Sequence, residues 1–385
     1  MKFIANRKEL AMVASKVSGV ASSRNIKPIL QNLVIEASKD QVYLYATDLT
    51  RFLLLFVRNV EVKIPGRMAV DADAFASYVN LLDSEKIEIS GNQQLLIRGG
   101  KHATTLFCPD ANEYPDIPKP GKDWFDFPVN ILSRITELVS GFSGDDSAKP
   151  ILRSVFFNTE LGRCVATNSI RSSFLDVKFP VEIGSYAIQT LGMELIPTVS
   201  DEGTIQVQFG THWNFFKGNR GLLGLIAVDG IYPAISDYPE KLKKNKPAAV
   251  LTLNKQHLTK VLEIVSYFFS LSKNSKSVAL AWDDDIRVQL EIAELCKVDD
   301  IIQGEYSGNT GEIRFRPEHL LKACQLVSGE TVKITLWGPA SPILIQDSKN
   351  SEWQFAFMPI GDSEALKDWE KRKKDLVQQP ESEEF

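Results

Sequence analysis

Apolar residues along the chain alternate between two periods. Six times, a short run with every second position apolar opens onto a stretch whose apolar positions lie three and four apart. These are the periods of a strand and of an amphipathic helix. The six openings are FIANRKELAMVASKV from Phe3, MAVDADAFASYVNLL from Met68, FPVNILSRITELVSGF from Phe127, YAIQTLGMELIPTVS from Tyr186, LTLNKQHLTKVLEIVS from Leu251 and IRFRPEHLLKACQLVS from Ile313. Successive starts lie 65, 59, 59, 65 and 62 residues apart. Asn6, Asp71, Asn130 and Asn254 stand where each helical period begins. A side-chain oxygen there accepts from an otherwise unpaired helix N–H, so an N-cap is expected at all four. In the fourth unit Pro197 falls inside Thr190–Ser200, which predicts a short or broken helix.

The strands repeat as well. After the second, fourth and sixth helical runs come KIEIS from Lys86, TIQVQF from Thr204 and VKITLW from Val332, each alternating as a strand with one buried face. Tyr114-Pro115 and Tyr232-Pro233 close the first two pairs of units. The longest greasy run, Phe52 to Val57, reads as a buried strand. A literal repeat reinforces the pattern: Lys27–Leu30 and Lys149–Leu152 both read KPIL, followed at similar distance by YATDL (Tyr45–Leu49) and VATNS (Val165–Ser169). Units therefore pair into three domains of about 120 residues. The expected boundaries are 1–122, 123–246 and 247–361, with a tail over 362–385. The second boundary, PEKLKKNKPAA, has the charge and proline content of a linker. Helices on one face of mainly antiparallel sheet make the fold class α+β, with six strand–helix–strand units.

Composition narrows the function without naming it. The 385 residues are 24% charged and 44% hydrophobic, as in globular domains, and no apolar run approaches a membrane span. The four cysteines (Cys108, Cys164, Cys296, Cys324) have no metal-ligand spacing and are expected to be reduced thiols, so no metal and no cofactor is expected. The net charge is −5, of which the last 24 residues carry −3, so any basic surface must be local. No nucleotide-loop, zinc-protease, serine-hydrolase or EF-hand pattern is present. Asp283-Asp284-Asp285 lies between alternating strands, where a hairpin turn explains it better than a metal site. The expectation is a non-catalytic protein; a nuclease on a repeated scaffold is the enzymatic alternative.

From Met1 to about Gly361 the chain resembles the bacterial DNA polymerase III beta-subunit sliding clamp family. The resemblance rests on the MKF start and its helix, SRNIKPILQNLVIEA, ATDLTRFLL, the EYPDIP and DGIYPAIS turns and the closing FAFMPIG, in that order and spacing. It implies two chains meeting head to tail as a ring around duplex DNA, with helices inside and sheets outside, tethering a polymerase. Contacts to the DNA would be sequence-independent, since only a backbone-directed field permits sliding. A homodimer, a cytoplasmic, nucleoid-associated location and no membrane follow from the same resemblance. A ring-shaped paralogue that binds proteins without encircling DNA is the alternative.

The resemblance also implies sites. The DNA-facing candidates are Arg7, Lys8, Lys16 and Arg24, then Arg134 and Lys149, then Lys255, Lys260, Arg316 and Lys322. The second and fourth helical runs carry no Lys or Arg, so the field should be uneven and strongest in the third domain. A pocket for partner peptides, typically a Gln followed by Leu and a Leu-Phe pair, maps to Leu152, Thr167, Ser169, Ile170, Arg171, Pro233, Tyr238, Ala340, Pro342, Ala356, Met358 and Ile360. Its partners would be a DNA polymerase, the clamp loader and other clamp-binding-motif proteins. The family's Thr-Asp-Gly-His-Arg-Leu stands here as Thr167-Asn168-Ser169-Ile170-Arg171-Ser172, and a usual arginine falls on Asp237. An altered pocket that binds the usual peptide more weakly is therefore expected. For ring closure, an edge strand near Thr104 and Leu106 would meet Phe268, Phe269 and Leu271 of the other chain. In the tail, Trp369, Leu376 or Phe385 could fold back over the pocket, and deletion from Ser363 onward should then tighten peptide binding.

Overall fold

The computed structural model describes residues 1–21, 27–144, 149–182, 184–272 and 277–361. Arg24 and the tail residues Trp369, Leu376 and Phe385 lie outside the described residues. The chain forms two compact units, one from Met1–Glu137 and Phe179–Ile231, the other from Leu138–Lys178 and the chain from Tyr232 on. Each unit holds one flanking expected domain and part of the expected middle one.

The first unit contains two antiparallel sheets. One runs Val60–Ile64, Lys2–Asn6, Lys86–Gly91, Gln94–Gly99, His102–Phe107, so His102–Phe107 is an edge. The other has eight strands, and at its middle Gly221–Ile226 pairs with Arg51–Val57. That pairing is one continuous ladder, from Gly221 opposite Leu55, 166 residues apart, to Leu225 opposite Arg51, 174 apart. It explains why part of the middle stretch joins the first unit. Helices α1 (Arg7–Ser18) and α2 (Ala72–Leu81) pack on each other. α1 buries Leu10, Ala11, Val13, Ala14 and Val17, and α2 buries Ala72, Phe75, Ala76 and Val79. These are the three-and-four spacings of the sequence, and each fully buried Val, Leu or Phe contributes about 1.5–3 kcal/mol.

α3 (Val129–Leu138) begins two residues earlier than a cap at Asn130 would have it. Asn6, Asp71 and Asn254 cap their helices by accepting from Glu9 N, Ala74 N and His257 N. Asn130 instead lies inside the first turn of α3, after Pro128 has ended the strand before it. The expected cap at Asn130 is thus corrected. In the fourth unit Met193–Val199 is a 3₁₀ helix enclosing Pro197. Its buried residues Met193, Ile196 and Val199 are three apart, matching three residues per turn.

The second unit is built the same way. Its long sheet includes, in order, Ser154–Asn158, Arg163–Thr167, Arg171–Asp176, Trp353–Phe357, Ile343–Asp347, Thr331–Leu336, Ala249–Asn254 and Gly304–Gly308. The central ladder pairs Arg171 with Phe357 and Ser172 with Ala356. A four-stranded sheet holds Val278–Trp282 and Ile286–Ile292, with Asp283-Asp284-Asp285 as the turn between them. α4 (Tyr238–Lys243) is a short helix within the stretch read from sequence as linker. α5 (Lys255–Leu271) and α6 (Pro317–Leu326) pack together. All four cysteines are free, and burial pushes the Cys324 thiol up to about 12.

Candidate functional site

The site in the second unit starts from a five-residue turn. Thr167 Oγ1 donates to Arg171 O (2.8 Å) and accepts from Ser169 N (3.1 Å). Asn168 Oδ1 accepts from Ile170 N and Arg171 N at 3.1 and 2.9 Å. The bonds force Ser169 into left-handed backbone, φ 76°, and lift Ile170 to 53% exposure. The first unit holds the same turn: Thr47 Oγ1 bonds Arg51 O and Leu49 N, Asp48 Oδ1 accepts from Thr50 N and Arg51 N, and Leu49 has φ 74°. The two KPIL segments likewise both form 3₁₀ turns, Pro28–Gln31 and Pro150–Arg153. The internal repeat is therefore a repeat of hydrogen bonds as well as of letters.

Strand alternation sorts the side chains between two faces. On one face Val165, Phe174, Tyr232, Leu344 and Ala356 form a buried cluster, against which Ile151, Phe156, Ile235 and Tyr238 pack. The Tyr232 ring stacks on Phe156 at 4.6 Å, its hydroxyl donates to Val165 O, and burial pushes that hydroxyl's pKa up. Above this floor lies a cleft of about 350 Å³. It is lined by Thr167, Ser169, Ile170, Ser172, Pro233, Ile235, Tyr238, Pro342, Ala356, Phe357 and Met358. Met358 N donates to Ile170 O at 2.9 Å, which closes one end of the cleft, and Met358 is itself 40% exposed. The lining carries no charged side chain, and its size and polarity suit an apolar ligand with a few polar contacts.

A buried arginine fixes the wall bearing Tyr238. Arg163 reaches Asp176 (2.5 Å), Glu240 on α4 (2.6 Å) and Ser236 O (2.7 Å). Burial alone would lower its pKa, and these partners outweigh burial and raise it. The bond from Arg163 holds Glu240 below the usual carboxylate range. Asp237, just before α4, is lowered by its bond to Lys241 at 2.9 Å.

Eight of the twelve residues expected at the pocket line this cleft: Thr167, Ser169, Ile170, Pro233, Tyr238, Pro342, Ala356 and Met358. Four do not. Leu152 is buried in its 3₁₀ turn, and its neighbour Ile151 is the residue that packs under the cleft. Arg171, one position from Ser172 along the strand, falls on the face opposite Ser172, its guanidinium 5.8 Å from the Phe142 ring. Ala340 belongs to the turn in which Ser341 N bonds Gly338 O, one step before Pro342. Ile360 N is tied to Arg314 O at 2.6 Å, beyond the lining. Ser172, Ile235 and Phe357 line the cleft and were not singled out. Alternation from Thr167 and Ala356 would have found Ser172, which pairs with both.

The basic candidates divide by what their side chains already do. Lys8, Lys16 and Lys149 are exposed, and Arg7 and Arg134 are half-buried. Lys260 and Arg316 are exposed with surface ion pairs to Glu263 and Glu318 at 3.7 and 3.6 Å. Lys255 and Lys322 donate to the carbonyls of Val327 and Gly141, and Lys322 also lies 4.7 Å from the Phe142 ring. At the edge strand, Thr104 and Leu106 are half-buried on the sheet face that holds buried Ile97 and Leu95, with which they pair. Phe107 is the strand's outward aromatic, at 81% exposure. Phe268 and Phe269 are half-buried near the end of α5, and Leu271 is exposed.

Comparison with known proteins converges on one family. Residues 1–118 match the model of the DNA polymerase III beta subunit, N-terminal domain, and residues 243–361 match that of its C-terminal domain. The chain is 25% identical to the beta sliding clamp of Halalkalibacterium halodurans and 23% to that of Bacillus subtilis. Both alignments cover 94% of this chain and 99% of the relative. Among solved structures, the beta chain of DNA polymerase III from Streptococcus pneumoniae superposes with a TM-score of 0.87 at 19% identity. The sliding clamp from Pseudomonas aeruginosa bound to griselimycin superposes with a TM-score of 0.83 at 22% identity. Each covers 94% of this chain and 100% of its own.

Proposed function

The chain belongs to the DNA polymerase III beta-subunit family and is a DNA sliding clamp, a non-catalytic processivity factor, and we propose that it works as half of a two-chain ring around duplex DNA. The observation that carries this reading is the cleft. Segments near residues 170, 235 and 357, far apart in sequence, converge on an uncharged groove where the family resemblance put a partner-peptide pocket. In this reading the groove takes an apolar peptide motif from a polymerase, a clamp loader or another clamp-binding protein. Ile170 and Met358 are adaptable exposed anchors, and Ser172 and Ser169 are the polar contacts. A leucine-to-serine exchange at Ser172, relative to the family pattern, makes the groove more polar and supports weaker binding of the usual motif.

The DNA-facing wall would include Arg7, Lys8, Lys16, Arg134, Lys149, Lys260 and Arg316, all of them exposed or half-buried. Lys255 and Lys322, already bonded to carbonyls, act first as struts. The chain is read as three clamp domains, 1–122, 123–246 and 247–361. Ring closure would pair the His102–Phe107 edge with the end of α5 in a second chain. No helix of the described residues is long and apolar enough to cross a membrane, and a cytoplasmic, nucleoid-associated location fits a replication clamp.

Retention on DNA tests the ring. The protein loaded onto a nicked circular plasmid should stay bound in salt that screens phosphate contacts, and should be released when the plasmid is linearised. Loss from circle and linear DNA alike as salt rises would mean charge-held binding without encirclement. The protein-binding paralogue would then be the better reading.

A further inference from the structure

The matched family region ends at Gly361, and 24 residues follow it. They begin four positions beyond Met358, which lines the cleft. A 24-residue segment can extend to roughly 80 Å, so any part of it can reach the groove. The question is which part the groove would take.

Charge decides between the candidates. The stretch around Trp369 carries Lys367, Lys371, Arg372, Lys373 and Lys374 against Glu364, Asp368, Glu370 and Asp375, a net of +1, whereas residues 380–385, PESEEF, carry three glutamates, no base and one aromatic. Beside the cleft wall, the segment from α4 onward is basic. Lys241 is matched by Asp237, and Glu240 is taken by Arg163. Lys243 bonds Gln354; Lys244 and Lys246 are exposed, and among the described residues neither forms an ion pair with a carboxylate, although Asp237 feels the charge of Lys244. A stretch of net +1 gains nothing from such a field, whereas one of net −3 is attracted. The groove itself is apolar and uncharged, which suits an aromatic ring.

We propose that residues 381–385 dock in this chain's own cleft, with Phe385 in the groove and Glu381, Glu383 and Glu384 against Lys244 and Lys246. The segment is then a tethered competitor that partner peptides must displace. The proposal rests on the reading of the cleft as a peptide pocket. Tethering holds the segment at an effective concentration of order mM, so even a weak contact lowers apparent partner affinity several-fold. The device would favour partners that bind strongly or arrive at high local concentration.

The test compares the full chain with full-length Phe385→Ala and Glu381→Gln/Glu383→Gln/Glu384→Gln variants. The probe is a fluorescent peptide carrying Gln, then Leu, then a Leu-Phe pair. Phe385→Ala should bind it about tenfold more tightly than the unmodified chain. The triple Gln variant should show a smaller gain that fades with added salt. Trp369→Ala should leave affinity unchanged. A second peptide, LVQQPESEEF, added to the Phe385→Ala protein should displace the probe. Equal affinity of the unmodified chain and Phe385→Ala overturns the proposal while the pocket reading stands, because the probe still binds. Binding of neither peptide to any variant overturns both.

Discussion

Asp347 is a residue whose importance no local pattern advertises. It is buried and accepts hydrogen bonds from Ser328 N and Oγ at 2.7 Å, from Lys349 N at 2.8 Å and from Gly329 N at 3.2 Å. Burial pushes its pKa up, and these donors outweigh it and hold the carboxyl below its ordinary value. A folded pKa below the unfolded one gives stability that is fully present above the unfolded value and lost as pH falls through the folded one. Asp347→Asn should therefore cost about 1–3 kcal/mol at neutral pH. Urea denaturation should show the gap narrowing below about pH 4, and a gap independent of pH would mean the carboxylate's charge is not what holds the turn. Arg171 makes the complementary point. Its identity suggested a pocket residue, and one step of strand alternation puts it on the other face, over Phe142.

At the scale of elements, the same motif position does different work in different copies. Asn254 caps α5, whereas Asn130 sits inside α3 although both align in the repeat. Asn254→Ala should cost about 1 kcal/mol in thermal or denaturant unfolding, and Asn130→Ala less than about 0.5 kcal/mol. Equal losses would mean that the cap bond contributes little to α5. The Thr47 and Thr167 turns, by contrast, keep both their bonds and their left-handed residue. The difference is physical: a five-residue turn closes on its own side chains, whereas a helix start also depends on where the preceding strand stops, here at Pro128.

For the whole molecule, association is the first property to measure. Light scattering should give twice the 43.0 kDa chain mass, persisting on dilution. Phe107→Glu should shift the mass toward one chain, because it places a charge on the exposed aromatic of an edge strand. Thr104→Ala, on the half-buried face beside Ile97, should leave the mass unchanged. A dimer unaffected by Phe107→Glu would place the contact elsewhere. The two ladders that unite Arg51–Val57 with Gly221–Ile226, and Arg171–Asp176 with Trp353–Phe357, are what make each unit cohere.

By itself the sequence determined the sixfold strand–helix repeat, three of four caps, the broken fourth helix, the α+β class and the family. All of these depend on period, spacing or local backbone chemistry, which a linear chain states directly. Eight cleft residues were also legible, through the family pattern. Only the tertiary structure decided which face Arg171, Ser172 and Phe107 present, that Lys255 and Lys322 spend their charge on carbonyls, and that Arg163 braces the cleft wall through Glu240. Those facts depend on register between strands far apart in sequence, and a shift of one residue would have reversed every face.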